Sequence, residues 1–363
     1  MSLKLENIIS IRPIEGVIER MRGNKYNKTM SIKFIPFKTC NYRCEYCCET
    51  FSEDKRKSKI NYSNILTIVK NIDDMYTKFK KQIDVPVDDG IDLTIFGGET
   101  FFVDWTKYLK YIKTPIRKLT MISNFTCNKK LYKKISKYCY AKRIPLRLIA
   151  SFHASQVDIT SFFDRVSKIY EFIQNQNDKF LTRVLKIPKQ SLSIQPVISK
   201  TNIDIVRLLY NMVLQSGYKK LVFSPNFLYD NKGVLDIDKK KLNEQQLRDV
   251  GDWLTGKKNN VCIEYYEDDP SEDDGPLTNY YTYTKSVELD INPINLKGWT
   301  CLDNYGVMID GDTGEIKQRC ENPGISYGNI ITREYDFSKK NNSVKCNRDF
   351  CLLCMHNQQI IKT

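Results

Sequence analysis

The stretch Cys-Asn-Tyr-Arg-Cys-Glu-Tyr-Cys at residues 40–47 follows directly on the apolar run Ser31–Phe37. Its cysteines, Cys40, Cys44 and Cys47, are separated by three residues and then by two. A tetrahedral zinc site commonly takes two cysteine pairs with two-residue gaps, whereas this stretch offers only three thiols. Three thiolates can instead hold three irons of a [4Fe–4S] cluster and leave the fourth iron open to a small molecule. A short zinc knuckle or a chance clustering of cysteines is the alternative interpretation.

Apolar runs typical of strands alternate with helical periodicity across the first two thirds of the chain. The predicted strands are Ser31–Phe37, Ile91–Phe96, Leu119–Ser123, Leu146–Ser151, Leu192–Val197 and Leu221–Ser224. The predicted helices between them are Ile65–Phe79, Trp105–Ile112, Leu131–Tyr138, Phe163–Ile173 and Ile205–Met212. Such alternation predicts right-handed crossovers and an α/β fold with a parallel sheet, either open or curled into a barrel.

Polar residues follow three of these strands, at the sheet edge where ligands of parallel α/β proteins gather. The second strand leads into Gly97-Gly98-Glu99. Glycine lets the backbone approach a ligand closely, and a carboxylate at a strand end can accept a hydrogen bond from an ammonium group. The later strands lead into Ser123-Asn124 and Ser151-Phe152-His153. The plainer alternatives are a glycine turn, a turn cap at Asn124 and a structural histidine.

The cysteine triplet, with Tyr46 before its last cysteine and a Gly-Gly-Glu motif one β/α unit later, resembles the signature of the radical S-adenosylmethionine (SAM) enzymes. The resemblance implies a partial (β/α)6 barrel over about residues 30–228. It also implies a [4Fe–4S] cluster on Cys40, Cys44 and Cys47 whose open iron chelates SAM. One electron from that cluster cleaves SAM to a 5′-deoxyadenosyl radical, which abstracts hydrogen from a substrate carbon.

The same resemblance implies which residues hold SAM. Glu99, next to Gly97 and Gly98, would contact the amino group of SAM, and Tyr46 would lie beside the adenine. The polar residues after the third and fourth strands would hydrogen-bond the ribose and the carboxylate: Ser123, Asn124, Ser151 and His153. Cys127, just beyond the third strand, is a weak catalytic candidate, as a thiol that quenches a substrate radical.

A second group of cysteines lies near the carboxyl terminus of the sequence. Its four members with a recognisable spacing are Cys301, Cys320, Cys351 and Cys354. Between the first two, Asp-Gly and Thr-Gly steps within residues 307–316 predict a hairpin. Four thiolates suit zinc or a [4Fe–4S] cluster. The pattern resembles the twitch domain, the shortened form of the SPASM domain, which implies one auxiliary [4Fe–4S] cluster. Cys346 is then left over, either to replace one of the four ligands or to act near the substrate.

The composition sets the limits for these interpretations. The chain has 363 residues, 12 cysteines and a net charge of +14. It has no apolar run long enough for a membrane span, so we expect a cytoplasmic protein without a membrane partner. Many cysteines in that compartment favour metal or redox chemistry over disulfides.

The predicted domains are a lead-in at 1–29, the barrel at 30–228, a connecting region with a helix and an acidic loop at 229–291, and the twitch/SPASM-like domain at 292–363.

The expected activity is the oxidation or crosslinking of a peptide or small metabolite, supported by the auxiliary cluster. A flavodoxin- or ferredoxin-type protein is the expected electron donor. The alternatives are radical SAM modification of RNA or DNA, or a zinc-stabilised nucleic-acid-binding protein. Basic residues such as Lys129-Lys130 and Lys239-Lys240-Lys241 are scattered over predicted helix surfaces. Because they are not gathered with aromatics on one element, a nucleic-acid partner is not favoured.

Overall fold

The protein is described by a computed structural model that covers residues 29–44, 47, 59–83, 87–198, 201–223, 226–227, 300–301, 305–318, 325–341, 344–345 and 360–361. Its first seven strands are β1 Met30–Ile35, β2 Ile91–Ile95, β3 Ile116–Ser123, β4 Leu146–Phe152, β5 Ser191–Ile198, β6 Leu221–Phe223 and β7 Asn226–Phe227. The later strands are β8 Thr300–Cys301, β9 Gly306–Asp310, β10 Glu315–Gln318, β11 Ser326–Asn329, β12 Glu334–Tyr335, β13 Val344–Lys345 and β14 Ile360–Ile361. The helices are α1 Tyr62–Gln82, α2 Thr106–Leu109, α3 Lys129–Lys142, α4 Ile159–Asn177, α5 Phe180–Val184 and α6 Ile203–Gln215, with 3₁₀ turns at Thr100–Phe102 and Ser338–Asn341.

Strands β1 to β6 are parallel and lie side by side in chain order. A helix follows each of the first five strands, so every connection is a β/α crossover of the kind that parallel pairing requires. The six predicted strands and the α/β class are therefore confirmed. The small helix α5 between α4 and β5 and the short strand β7, which pairs with β5, were not predicted.

One face of the parallel sheet packs on the helices and forms the core. Alternate strand residues such as Ile32, Leu93 and Leu148 are buried in one cluster with apolar residues of the helices, including Ile68 and Val166. Side chains on a strand alternate between the two faces. The opposite face is consequently the polar one, and the register aligns one row of its residues across four strands: Lys33, Thr94, Thr120 and Arg147.

Three of the helices begin at a side-chain cap. Asn61 Oδ1 accepts a hydrogen bond from Asn64 N at 3.1 Å ahead of α1, and Asp158 Oδ1 accepts one from Ser161 N at 2.8 Å ahead of α4. Asn128 Oδ1 accepts from Lys130 N at 2.9 Å ahead of α3. Such caps satisfy backbone donors that the first helical turn leaves unpaired, so the start of each crossover helix is fixed locally.

The sheet continues beyond β1 into the carboxyl-terminal part of the chain. Strand β9 pairs with β1 in parallel, and β10, β11 and β12 add to it in antiparallel order. The hairpin predicted within 307–316 is confirmed, since β9 and β10 pair around a turn in which Gly314 has a φ of +75°. One sheet thus contains strands from both sides of residue 292, the predicted start of the last domain. The predicted division into domains stays a prediction.

The junction between β1 and β9 depends on a close backbone contact at Gly311. Its N–H donates to Ile35 O at 2.7 Å, and a Cβ atom added at Gly311 would lie 2.2 Å from Pro36 O. Beside it, Lys38 Nζ forms an ion pair of 3.3 Å with Asp310 Oδ2, and both side chains are largely buried. The β9–β10 turn is therefore fixed against the segment that leads from β1 into the cysteine stretch.

A second, three-stranded sheet has the order β13-β8-β14. Cys301 lies in its central strand, opposite Val344 on one side and Ile360 on the other. The remaining predicted residues of the auxiliary site, Cys320, Cys351 and Cys354, lie outside the described residues, as does the connecting region at 229–291. Within the described part of the chain, no helix is both long enough and apolar enough to cross a bilayer.

The contact at Gly311 generates a stability prediction. Gly311→Ala should lower the free energy of unfolding by about 2–3 kcal/mol, because its methyl group would overlap a backbone oxygen that cannot rotate away. Gly217→Ala is the matched control: nothing lies within 4 Å of a Cβ atom there, although its φ is +68°. The control should cost only the left-handed backbone strain of about 1 kcal/mol. Urea unfolding measures both, and equal losses would contradict the assigned contact.

Candidate functional site

The cysteine stretch lies at the carboxyl edge of the parallel sheet, immediately after β1. Cys44 is buried, while Cys40 and Cys47 are half-buried, and none of the three forms a disulfide. Cys47 N donates to Cys44 O at 3.2 Å, which makes the end of the stretch a tight turn. The stretch therefore lies where the loops of a parallel α/β sheet assemble a site.

Gly97 and Gly98 hold the cysteine stretch through backbone contacts. Gly98 N donates to Phe37 O at 3.0 Å, and the next residue, Glu99, donates its N–H to Thr39 O at 2.9 Å. A Cβ atom at Gly98 would lie 2.0 Å from Thr39 O, and Gly97 has a φ of +130°. These two positions accept only glycine because of the backbone that leads to Cys40. The close contact that the structure shows is with this backbone, and the predicted approach of the glycines to a ligand stays a prediction.

The carboxylate of Glu99 is buried at the centre of the site, with 1% of the residue exposed. Its Oε1 accepts from Ser123 Oγ at 2.7 Å and from Phe101 N at 2.9 Å, and its Oε2 accepts from Asn124 N at 2.8 Å. Burial raises the pKa of this carboxyl group, and the three donors act in the opposite direction. Glu99 thus ties the end of β2 to the end of β3. Its predicted contact with the SAM amino group stays a prediction.

Asn124 connects the end of β3 to the cysteine stretch. Its Nδ2 donates to Asn41 Oδ1 at 2.9 Å and lies 3.9 Å from Cys40 Sγ, within hydrogen-bonding range of sulfur. Its Oδ1 accepts from Thr126 N at 3.1 Å, and Asn41 Nδ2 donates to Thr126 Oγ1 at 3.0 Å. Tyr42 N donates to Cys40 Sγ at 3.4 Å. The amide pair Asn41–Asn124 therefore positions Cys40 and surrounds its sulfur with N–H donors.

The end of β4 holds the middle of the cysteine stretch. Gln156 Oε1 accepts from Arg43 N at 2.8 Å. The ring of His153 meets that of Tyr42 edge to face, with 5.8 Å between centroids, and its Nε2 lies 3.0 Å from Ser151 Oγ. Burial lowers the pKa of His153 to about 4, so the imidazole is neutral at physiological pH. Ser151 and His153 thus lie beside the cysteine stretch, and their predicted contacts with SAM stay a prediction.

The hydroxyl group of Tyr42 is a buried polar group between the cysteines and the sheet. Among the described residues, its Oη has no hydrogen-bond partner, and 7% of the residue is exposed. Burial raises the pKa of Tyr42 to about 12, with Arg165 acting against this rise. A buried hydroxyl group without a partner costs free energy. This group is therefore a hydrogen-bonding position that a bound polar molecule can satisfy.

Cys127 lies next to this network, in the loop between β3 and α3. It is half-buried, and burial together with the neighbouring Glu99 carboxylate raises the pKa of its thiol. The thiol is therefore protonated at physiological pH and carries a hydrogen atom near Cys40. Its predicted role as a radical-quenching group stays a prediction.

The donor chemistry of the cysteine stretch fits an iron–sulfur cluster. Three cysteines on one loop, none of them in a disulfide, supply soft sulfur ligands, the type that such clusters take. In the part of the chain that the structure describes, no three Cys, His, Asp or Glu side chains converge closely enough to hold a metal ion. The thiols of Cys40, Cys44 and Cys47 thus share one loop without forming a coordination sphere.

The structure brings most of the predicted site residues into one region. Gly97, Gly98 and Glu99 contact the segment that leads to Cys40, and the residues after β3 and β4 surround the cysteine stretch: Ser123, Asn124, Ser151 and His153. Tyr46 lies outside the described residues. None of Asn41, Tyr42 and Gln156 was predicted to be a site residue. Asn41 and Tyr42 lie within the cysteine stretch, and that position is the only sequence signal that could have identified them.

No protein-family model matches the chain, and no curated protein matches its sequence. Among solved structures it resembles native anSMEcpe with bound AdoMet, with a TM-score of 0.49, 15% identity and coverage of 86% of this chain and 82% of that chain. It also resembles Streptococcus suis SuiB bound to the precursor peptide SuiA, with a TM-score of 0.43, 15% identity and coverage of 93% and 71%. A third similar structure is BtrN in complex with AdoMet and 2-DOIA, with a TM-score of 0.33, 12% identity and coverage of 84% of this chain and 80% of that chain. Such distant similarity leaves the function to be argued from the residues of the site.

The hydrogen bonds of Glu99 generate a prediction for the protein without cofactors. Glu99→Gln should lower the free energy of unfolding by about 1–3 kcal/mol, because the new amide group meets buried N–H or O–H donors where an acceptor is required. The exposed Glu334→Gln is the matched control and should change stability by less than about 0.5 kcal/mol. Thermal or urea unfolding checks both variants. A Glu99 variant as stable as the control would mean that the carboxylate does not organise the site.

The lowered pKa of His153 generates a pH prediction. Its unfolded pKa is about 6.5 and its folded value is about 4, so the unfolded chain binds more protons between these values. Stability should therefore fall as the pH falls from about 6.5 towards 4. Between pH 7 and pH 5, the wild type should lose about 1–2 kcal/mol more than His153→Asn, by urea unfolding.

An NMR titration provides a direct check, because the chain has only two histidines, His153 and His356. His356→Asn leaves a single imidazole signal, which can then be assigned to His153. That signal should not titrate above pH 5. A midpoint near the ordinary value of about 6.5 would contradict the burial of His153.

Proposed function

We propose that the protein is a radical SAM enzyme that cleaves SAM reductively at a [4Fe–4S] cluster and abstracts hydrogen from a carbon of a peptide or small metabolite. The cluster ligands in this proposal are Cys40, Cys44 and Cys47. A cluster held by three thiolates keeps one iron open to SAM. When bound, it supplies the electron for reductive cleavage, and the protein supplies binding, orientation and exclusion of water.

The observation that carries the proposal is the attachment of the cysteine stretch to three consecutive strand ends. Gly98 and Glu99 after β2, Asn124 after β3 and Gln156 after β4 each contact residues 37–43 by hydrogen bonds. A short zinc knuckle is stabilised by its own metal and needs no such support. A loop fixed from three sides at the ligand-binding edge of a sheet is suited to present a reactive cofactor.

The surrounding residues receive distinct tasks in the proposal. The Tyr42 hydroxyl group, buried and without a partner among the described residues, donates a hydrogen bond to a polar group of SAM. Ser151 and neutral His153 contact the ribose and carboxylate from the end of β4. Asn124 and the backbone N–H of Tyr42 direct hydrogen-bond donors at Cys40 Sγ, and these donors would raise the reduction potential of a cluster bound there.

The polar face of the sheet is the surface that we assign to the substrate. Lys33, Thr94, Thr120 and Arg147 form a continuous row across β1 to β4 on the face turned away from the helices. Such a row suits a substrate with hydrogen-bonding groups and negative charge rather than an apolar one.

A flavodoxin- or ferredoxin-type donor in the cytoplasm supplies the electron in this proposal, and the net charge of +14 suits an acidic partner.

We further propose an auxiliary [4Fe–4S] cluster on Cys301, Cys320, Cys351 and Cys354. Strands β13 and β14 both pair with the strand that contains Cys301, and they flank residues 346–359 in the sequence. This pairing brings both ends of the segment with Cys351 and Cys354 to the strand of Cys301. The arrangement supports a site with ligands from both that strand and that segment. The proposed auxiliary cluster, which would accept the substrate electron, needs ligands from both.

The cluster assignment predicts different effects for two buried thiols. Cys44→Ala should abolish release of 5′-deoxyadenosine in the presence of dithionite and remove about four irons per chain from the reconstituted protein. Cys139→Ala is the matched control, because Cys139 is a fully buried thiol of α3 that packs in the core. It should keep both the iron and the activity. A Cys44 variant that still cleaves SAM at the wild-type rate would exclude the proposal.

The auxiliary site predicts a second loss of iron that is independent of the first. The wild type should bind about eight irons per chain after reconstitution, and the double variant Cys351→Ala, Cys354→Ala should bind about four while keeping SAM cleavage. Iron and zinc analysis of the two proteins checks this. Four irons and one zinc in the wild type would show that the carboxyl-terminal site is a zinc site.

A further inference from the structure

A cavity of about 610 Å³ opens at the amino edge of the sheet, the edge opposite the cysteine stretch. Residues before β5 and β6 and from α5 line it, and its charged side chains are Asp178, Arg183, Lys186, Lys189 and Lys220. Asp178 pairs with Lys220 at 3.8 Å. Four cations against one carboxylate give the cavity a net positive charge, so it attracts an anion with several oxygen acceptors, such as a phosphate group.

Exposed apolar side chains project beside this cavity. Phe180 is 77% exposed, Val184 56% and Leu185 45%. Phe180 and Val184 are four residues apart on α5 and therefore lie on one face of the helix. The opposite side of α5 is anchored, since Thr182 Oγ1 donates to Gln176 O at 2.7 Å and Ile187 N donates to Thr182 O at 3.0 Å. The short helix is thus held in place while Phe180 and Val184 face outward.

More cations lie at the same edge. Lys142 and Arg143 end α3 just before β4, and both are exposed. Lys179 Nζ lies 5.8 Å from the ring centroid of Tyr140, whose hydroxyl group is 3.0 Å from Thr182 Oγ1. This chain of contacts joins the end of α3 to α5. The apolar side chains are consequently surrounded by positive charge on more than one side.

We propose that this surface, formed by α5 and the cavity beside it, binds an anionic phospholipid bilayer. The phosphates of the headgroups would lie in the cavity among Arg183, Lys186 and Lys189, and Phe180, Val184 and Leu185 would enter the interface. Outward apolar side chains next to lysines and arginines have the composition of an interfacial membrane-binding element. Binding of this kind needs no membrane-spanning helix. The proposal therefore departs from the expectation of no membrane partner, which rested only on the lack of an apolar run long enough for a span.

Two other occupants fit less well. A nucleic acid would use stacking aromatics among the cations, and two of the three projecting side chains are aliphatic. An acidic electron donor must approach the cluster. The strands that separate this surface from the cysteine stretch have up to eight residues, which corresponds to a length of about 25 Å. An electron donor bound at this surface would therefore lie too far from the proposed cluster to contact it.

Vesicle co-sedimentation of the full chain tests the proposal. The protein should sediment with vesicles of phosphatidylcholine mixed with phosphatidylglycerol and not with phosphatidylcholine alone, and high salt should release it. Equal binding to both vesicles, or none to either, would overturn the proposal. Binding of a single-stranded RNA or of inorganic phosphate in the absence of vesicle binding would also overturn it, because it would assign the cavity to a free phosphate.

Two double variants and one control locate the binding surface. Phe180→Ser with Val184→Ser, and Lys186→Gln with Lys189→Gln, should each weaken vesicle partitioning by about tenfold or more. The control, Lys129→Gln with Lys130→Gln, removes the same charge from exposed positions at the start of α3 and should stay within about twofold of the wild type. Unfolding curves verify the fold of each variant. Variants that bind as the control does would overturn the proposal.

Discussion

The backbone contact between residues 37–39 and the Gly97-Gly98 turn determines where the cysteine stretch lies. The contact leaves no space for a Cβ atom at Gly98, and it pairs two N–H groups of the turn with two carbonyl groups before Cys40. Buried backbone groups must be paired, so the segment can leave this position only by losing both hydrogen bonds. The rest of the site is built on the position that this contact sets.

The buried carboxylate of Glu99 extends that constraint across the sheet. It joins the glycine turn to Ser123 and Asn124, and Asn124 in turn holds Asn41 and approaches Cys40. On the opposite flank, β9 is attached to β1 through Gly311 and the Lys38–Asp310 pair. The cysteine stretch is therefore restrained from both sides, by neighbouring strands of one continuous sheet. This preorganisation is what a loop that presents a cofactor requires.

Much of this arrangement could be predicted from the sequence, because it depends on local patterns. The alternation of apolar runs and helical repeats predicts the six parallel strands, and the Asp310–Gly314 turn predicts the hairpin. The pairing of β9 with β1 could not be predicted, since it joins distant parts of the chain, and the Lys38–Asp310 ion pair beside it spans 272 positions. Strand partners at that distance are set by tertiary packing.

The glycines and α5 show two other limits of sequence-based prediction. A glycine that approaches a ligand and a glycine that approaches backbone have the same sequence signal, so the contact of Gly98 with Thr39 needed the structure. Helix α5 has five residues, too few for a periodic pattern, and its Phe180 and Val184 side chains face outward. The role of Tyr42 could not be predicted for a related reason. The sequence shows a tyrosine within the motif, but only the structure shows that its hydroxyl group has no hydrogen-bond partner among the described residues.

The most direct test of the proposed site is electron paramagnetic resonance of the reconstituted, dithionite-reduced protein before and after addition of SAM. A [4Fe–4S] cluster with an open iron should give a signal that changes on addition of SAM, and SAM labelled with ¹⁵N at its amino group should show coupling to the cluster. Cys351→Ala, Cys354→Ala protein isolates the signal of the cluster at Cys40, Cys44 and Cys47. A spectrum unchanged by SAM, or a protein that takes up zinc and no iron, would contradict the account.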